Sequence, residues 1–224
     1  MQAYVERCRA AGGFERQQRV LERVVAHREA HAKFLNTLSR LEYIGVRKML
    51  KARDSAAMDL EGLQHILEEA VHALRLKKFA SVLAGGADWV RTFDSPCTLA
   101  GEAAEAYFQA IDAAAAAALG ERAQEGCYWL TSTVIEIRAA TFYPAYQAEL
   151  QQRRVGVSVA SLVQDESGHL EQMSAELPRR ISRWRDVLED VLQVEERAFV
   201  AFMEAVEREL DSMARDVGAA ALPA

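Results

Sequence analysis

Residues 134–146 read VIEIRAATFYPAY, and residues 164–173 read QDESGHLEQM. In the first stretch Glu136 stands among apolar residues, and in the second Glu166 precedes His169 by three positions. Residues three apart share one face of an α-helix, so that Glu166 and His169 can reach the same ion. The neighbours of Glu136 are too apolar for an exposed helix face, and we therefore expect its carboxylate to be buried.

The same pattern occurs earlier in the chain. Residues 39–50, SRLEYIGVRKML, contain Glu42, and 27 residues later Glu69 precedes His72 by three positions, whereas 30 residues separate Glu136 from Glu166. The chain therefore repeats one unit: a helix with a glutamate, a turn, and an antiparallel helix with Glu-x-x-His. Four carboxylates and two imidazoles on four facing helices are the ligand set of a two-metal helical bundle. In the alternative interpretation, the first glutamate of a unit faces solvent and the histidine pairs belong to the surface.

Composition agrees with a helical enzyme and disfavours other classes. The 224 residues carry 27 basic and 33 acidic side chains, a net charge of −6, which argues against a nucleic-acid partner. Only 12 glycines and 4 prolines occur, and we find no alternating strand pattern or phosphate-binding loop. No stretch is apolar enough to span a membrane, and no signal-peptide core is present. Three separated cysteines favour a reducing compartment, and we expect a cytoplasmic protein.

Apolar periodicity predicts a single all-α domain over residues 1–217, with a frayed tail at 218–224. Glycines and prolines set the expected helix ends, with a kink at Pro144, and Pro178 either ends its helix or starts the next one. His27 and His31 are assigned to a polar helix face. The helices are expected over residues 14–51, 59–83, 102–119, 121–154, 159–177 and 181–217.

The arrangement of Glu42, Glu69, His72, Glu136, Glu166 and His169 resembles the ferritin-like di-iron carboxylate superfamily. Within it, VIEIRAATFYPAY and QDESGHLEQM look most like the aldehyde-deformylating oxygenases. The resemblance covers residues 40–173. It implies a ferritin-like four-helix bundle with a crossover helix and a long C-terminal helix. It also implies two iron ions as cofactors, with a mixed Mn/Fe pair as the alternative.

The resemblance also implies roles for individual residues. Six side chains are expected to bind the metals and to carry the catalysis: Glu69 and Glu166 as bridges, Glu42 with His72 on one ion, and Glu136 with His169 on the other. By analogy, Asp165 accepts a hydrogen bond from His72 and orients it, and Glu68 is either its counterpart toward His169 or a solvent-exposed charge. His65 lies one turn before Glu69 on the same face, and either borders the site or is a structural histidine.

Small and aromatic residues near the predicted ligands suggest a substrate pocket. The residues are Tyr43, Gly45, Ala139, Ala140 and Tyr143. Small side chains would leave room for dioxygen and substrate, but they also allow helices to approach closely. The tyrosines are either redox partners or ordinary core residues.

We therefore expect an O₂-activating di-iron oxidase or oxygenase that acts on a small, largely apolar organic substrate. It would need an external electron donor, because no redox domain is encoded, and a homodimer is among the expected assemblies. The alternative is iron or peroxide handling, as in ferroxidases, iron-storage proteins and rubrerythrin-like peroxidases. A helical interaction module without catalysis is a third interpretation, which metal analysis would distinguish.

Overall fold

The computed structural model describes residues 1–120 and 124–220 and is all-α over these ranges, with no strand among them. Short 3₁₀ turns occur only in the connections that flank α4. The helices are α1 (Gln2–Ala10), α2 (Gly12–Ala26), α3 (Arg28–Ala52), α4 (Leu60–Ala84), α5 (Gly101–Leu119), α6 (Gln124–Gln152), α7 (Ala160–Arg180) and α8 (Trp184–Ala220). The predicted all-α class is confirmed.

The prediction of one helix over residues 14–51 is wrong in one respect, because the structure divides this segment into α2 and α3 at His27. The backbone of His27 is extended (φ −116°, ψ 107°), and its ring nitrogen accepts a hydrogen bond from the Ala30 backbone N–H at 3.3 Å. This histidine therefore caps α3, a role for which Ser, Thr, Asp and Asn are the usual signals. His31 does not lie on a polar face as expected: it is buried against Tyr146.

Other helix ends follow local chemistry. The Asp59 side chain accepts from the Gly62 backbone N–H at 2.8 Å at the start of α4, and Gly85 ends that helix in the left-handed conformation (φ 65°). Pro178 does not end α7, which continues to Arg180. Helix α8 runs to Ala220, and residues 221–224 of the expected tail lie outside the described residues.

Two antiparallel hairpins form the centre of the fold. Helix α3 packs along α4, and α6 packs along α7. The Ser39 hydroxyl of α3 donates to the Ala73 carbonyl of α4 at 2.7 Å, and the Gln147 side chain of α6 accepts from the Val159 backbone N–H at 2.7 Å, just before α7. Helix α5 connects the hairpins and packs against α6 and α8.

One cluster of buried apolar side chains draws on all eight helices described. Helices α1 and α2 cover α6, and α2 also packs on α8. Among the described residues, no helix has the length and apolar character that crossing a bilayer would require. Between the two hairpins the packing buries a cluster of glutamate and histidine side chains.

Candidate metal centre

Seven glutamate and histidine side chains from the two hairpins converge between them. They form two groups, in each of which one ligand atom per residue lies within 4.8 Å of the others. The first group is Glu42, Glu69, His72 and Glu166, and the second is His65, Glu69, Glu136 and His169. All six residues that the sequence repeat singles out are present, and Glu69 belongs to both groups.

Glu69 and Glu166 occupy the middle of the cluster. One oxygen of Glu166 lies 3.3 Å from His72 Nδ1, and the other lies 3.2 Å from His169 Nδ1. Glu69 Oε1 lies 3.3 Å from the same His169 nitrogen. These two carboxylates therefore span the two groups, whereas Glu42 and Glu136 lie on opposite sides.

The two Glu-x-x-His helices exchange contacts on the outer side of their histidines. His72 Nε2 of α4 lies 3.0 Å from Asp165 Oδ2 of α7, and His169 Nε2 of α7 lies 3.0 Å from Glu68 Oε2 of α4. Each histidine therefore has a carboxylate on Nε2, which turns its Nδ1 toward the cluster. An outer carboxylate of this kind selects the tautomer and the ring orientation of a metal-binding histidine.

His65 is much closer to the centre than a bordering residue would be. Its Nε2 lies 3.5 Å from Glu69 Oε1 and 4.0 Å from Glu136 Oε1, and its ring centroid lies 4.2 Å from that of His169. The sequence carries a signal for this position, because His65, Glu69 and His72 recur after four and then three residues on one helix face. The packing of the two hairpins brings that face to the centre.

The four glutamates of the cluster differ in their titration. Burial, followed by repulsion from neighbouring glutamates, raises the pKa of Glu42 and of Glu136 well above the usual range. Burial also opposes ionisation of Glu69 and Glu166, but hydrogen bonds from histidines outweigh it and lower the pKa of both carboxyl groups. These shifts favour the protonated form of Glu42 and Glu136 and the ionised form of Glu69 and Glu166.

The histidines complete this charge balance. Burial would lower the pKa of His72, but contact with the Glu166 carboxylate raises it. For His169, contacts with Glu166 and Glu69 likewise outweigh burial and raise the pKa. The shifts thus favour two imidazolium ions beside two carboxylates, a combination without net charge.

The donor set fits two divalent cations. His72 Nδ1 and Glu136 Oε2 are buried and have no hydrogen-bond partner among the described residues, although buried polar atoms nearly always have one. Two divalent ions would replace the charge of the four protons on Glu42, Glu136, His72 and His169. Carboxylate-rich ligation with a few imidazoles suits Fe(II) and Mn(II).

A cavity of about 510 Å³ borders the cluster. Of the predicted pocket residues, Gly45, Ala139 and Tyr143 line it, and the Tyr143 hydroxyl donates to the Glu42 carboxylate. Tyr43 is 46% exposed and stacks on Phe93 instead, because one residue beyond Glu42 the helix has turned by about 100°. Ala140 packs against the core and is not part of the cavity lining.

Comparisons of this chain with protein-family models, with curated proteins and with solved structures found no match in any of the three. The fold and the site nevertheless define a class: an all-helical protein whose buried glutamates and histidines can hold a metal ion.

Proposed function

We propose that this chain is a ferritin-like di-iron oxidoreductase, which uses O₂ and external electrons to oxidise a largely apolar organic substrate. The observation that carries the proposal is the position of two donor groups, joined through Glu69, at the wall of a large, mostly apolar cavity. A metal pair and a substrate space on the same side of the cluster are what such a reaction needs.

Glu42 and His72 would hold one ion, and Glu136 and His169 would hold the other. Glu69 and Glu166 would supply the central carboxylates. His65 adds a third imidazole on the side of Glu136. When bound, the iron pair supplies the capacity to reduce O₂ and to oxidise the substrate.

The remaining residues prepare the site for the metals and the substrate. Asp165 and Glu68 hold the outer nitrogens of His72 and His169, so that Nδ1 of each faces inward. The Tyr143 hydroxyl orients the Glu42 carboxylate by donating a hydrogen bond to it. The apolar side chains of the cavity exclude water from the reacting region, which strengthens electrostatic interactions there.

The ferritin-like part of the proposal is supported by topology. Each hairpin carries a glutamate on its first helix and Glu-x-x-His on its second, and all these side chains face the space between the hairpins. Helix α5 joins one hairpin to the other, as a crossover helix does in ferritin-like folds.

The proposal is tested by metal content and by reaction with O₂. Purified protein loaded anaerobically with Fe(II) should hold two iron ions per chain, and it should consume O₂ after reduction. The Glu136→Ala variant should lose both properties, whereas Glu171→Ala, which changes an exposed glutamate of α7, should keep them. A protein that binds no metal would contradict the proposal. Steady oxidation of excess Fe(II), with ferric mineral in a hollow multimeric shell, would favour iron handling instead.

A further inference from the structure

The cavity is elongated and its two ends differ in polarity. It follows α3 from Leu38 to Lys51, a distance of about 20 Å along the helix axis. One end, here called the mouth, includes the exposed residues Lys51 and Gln124. The other end, here called the inner end, is lined by the buried rings of Phe142, Phe199 and Phe202. The candidate metal centre lies between them.

The mouth carries two lysines one turn apart on α3. Lys48 pairs with Asp112 of α5 and lies over the ring of Phe108, 4.3 Å from its centroid. Burial, and then repulsion from Lys51, lowers the pKa of Lys48 to about 8. An anion beside the two lysines would relieve this repulsion, since among the described residues Asp112 is the one acidic side chain that pairs with either lysine.

Three hydroxyl groups on one face of α6 line the same part of the cavity: Tyr128, Thr131 and Ser132. The Tyr128 and Thr131 hydroxyls are buried and have no hydrogen-bond partner among the described residues. Burial raises the pKa of Tyr128 to about 12, against a smaller lowering by the positive charge of Arg53. An unpaired buried hydroxyl costs about 1–3 kcal/mol, so a ligand that supplies its partner recovers that cost on binding.

Other threonine hydroxyls of α6 bond to backbone carbonyls of their own helix, so the unpaired hydroxyl of Thr131 is not a general consequence of a helical position. The Thr133 hydroxyl donates to the Trp129 carbonyl at 2.7 Å, and the Thr141 hydroxyl donates to the Arg138 carbonyl at 2.8 Å. Thr131 could bond its own helix in the same way but faces the cavity instead.

The inner end is unsuited to an anion, although Arg138 lies there. Its guanidinium donates two hydrogen bonds to Glu195 and one to Glu196, each at 2.7 Å. One positive charge therefore faces two negative ones, and the neighbouring cavity wall is aromatic. Charge and polarity both favour an anionic group at the mouth and an apolar group at the inner end.

We propose that the mouth binds the carboxylate of an amphipathic substrate, through Lys48, Lys51 and the hydroxyls of Tyr128 and Thr131. The apolar chain of that substrate then runs past the candidate metal centre toward the inner end. This inference rests on the proposed function, because the bound molecule is the substrate of that site. Lys48 and Lys51 follow Glu42 by six and nine residues on α3, about 9 and 13.5 Å along the helix axis, so the carboxylate lies about 10 Å from the centre. The segment beside the metals is thus mid-chain.

The proposal can be tested by isothermal titration calorimetry. The purified, metal-free chain is titrated with decanoate and, separately, with 1-decanol. Decanoate should bind more tightly than 1-decanol, and the difference should shrink as salt is added. Lys51→Gln should weaken decanoate about fivefold and leave 1-decanol unchanged, whereas Lys78→Gln, at an exposed lysine of α4 outside the cavity, should change neither. Equal affinities for the acid and the alcohol, or equal effects of the two lysine substitutions, would overturn it.

A second pair of variants tests the hydroxyls. Thr131→Val should weaken both ligands about threefold to tenfold without lowering the melting temperature, because it removes a hydroxyl that is unpaired in the free protein. Thr133→Val, at a hydroxyl bonded to the helix, should leave ligand binding unchanged. Unchanged binding by the Thr131 variant would contradict a role for this hydroxyl.

The result of the ligand-binding test can be distinguished from the result of the metal-binding test of the proposed function. If decanoate binds as expected and the chain holds no metal, the proposed function fails and the carboxylate site stands. If two iron ions bind and decanoate shows no preference over 1-decanol, the substrate class assigned here is wrong and the metal centre is unaffected.

Discussion

His72 Nε2 and Asp165 Oδ2 lie 3.0 Å apart and connect α4 to α7 at the edge of the candidate metal centre. The imidazole is fully buried, while the carboxylate side chain is 35% exposed. A partly exposed carboxylate therefore orients a buried imidazole. The contact has a near-symmetrical counterpart between His169 and Glu68.

Replacing Asp165 by Asn should weaken metal binding about 10–100-fold without abolishing it, because the amide no longer favours the tautomer that turns Nδ1 inward. Glu68→Gln should have a similar effect through His169. Competition titration against a chelator of known affinity measures both. Full metal affinity in both variants would show that these carboxylates do not position the histidines.

Metal binding should release protons. The raised pKa values of Glu42, Glu136, His72 and His169 imply that these groups hold protons in the metal-free protein near neutral pH. Two divalent ions should displace them, so up to four protons leave and metal affinity rises with pH. Calorimetry in two buffers of different ionisation enthalpy counts the protons. Binding without proton release would contradict the charge balance derived above.

The Glu136→Gln variant should separate stability from metal binding. Because the Glu136 carboxyl is protonated in the metal-free protein, a neutral amide of the same shape should leave the metal-free melting temperature nearly unchanged. The variant should lose most of the stabilisation that iron gives the unaltered protein. Thermal unfolding with Fe(II) and with chelator provides the comparison. Equal stabilisation of both proteins by iron would remove Glu136 from the ligand set.

His31 lies away from the metal centre, against Tyr146, and should make the free energy of unfolding depend on pH. Burial lowers its pKa to about 4, and its Nε2 lies 2.6 Å from the Tyr146 hydroxyl. The unfolded chain binds a proton at His31 below about pH 6.5, whereas the folded chain does not until about pH 4. The free energy of unfolding should therefore fall as pH drops through this window, by up to ~1.4 kcal/mol per pH unit from this residue.

The His31→Gln variant isolates that contribution. Chemical denaturation of both proteins between pH 7 and pH 4 should show a shallower pH dependence for the variant. The carboxylate cluster titrates in both proteins and cancels in the comparison. Parallel curves would mean that His31 does not carry the effect.

Local sequence patterns predicted the all-α class, most of the helices and the six residues of the repeat, but they missed α1. Helix periodicity and Gly85 as a stop act within a few residues, so they can be recognised without the fold. The spacing of Glu-x-x-His places two side chains on one helix face wherever the helix lies. The division at His27 was missed because a histidine ring nitrogen is an uncommon cap.

Which side chains of different helices meet was not predictable from the sequence, because it depends on tertiary packing. Only the packing of the two hairpins against each other decides that His65 of α4 reaches Glu136 of α6. The same packing exposes the Thr131 hydroxyl to a cavity, while Thr133 on the same helix bonds its own backbone. Periodicity assigns residues to faces of a helix, but which face meets a partner, a cavity or solvent is determined by how distant segments pack.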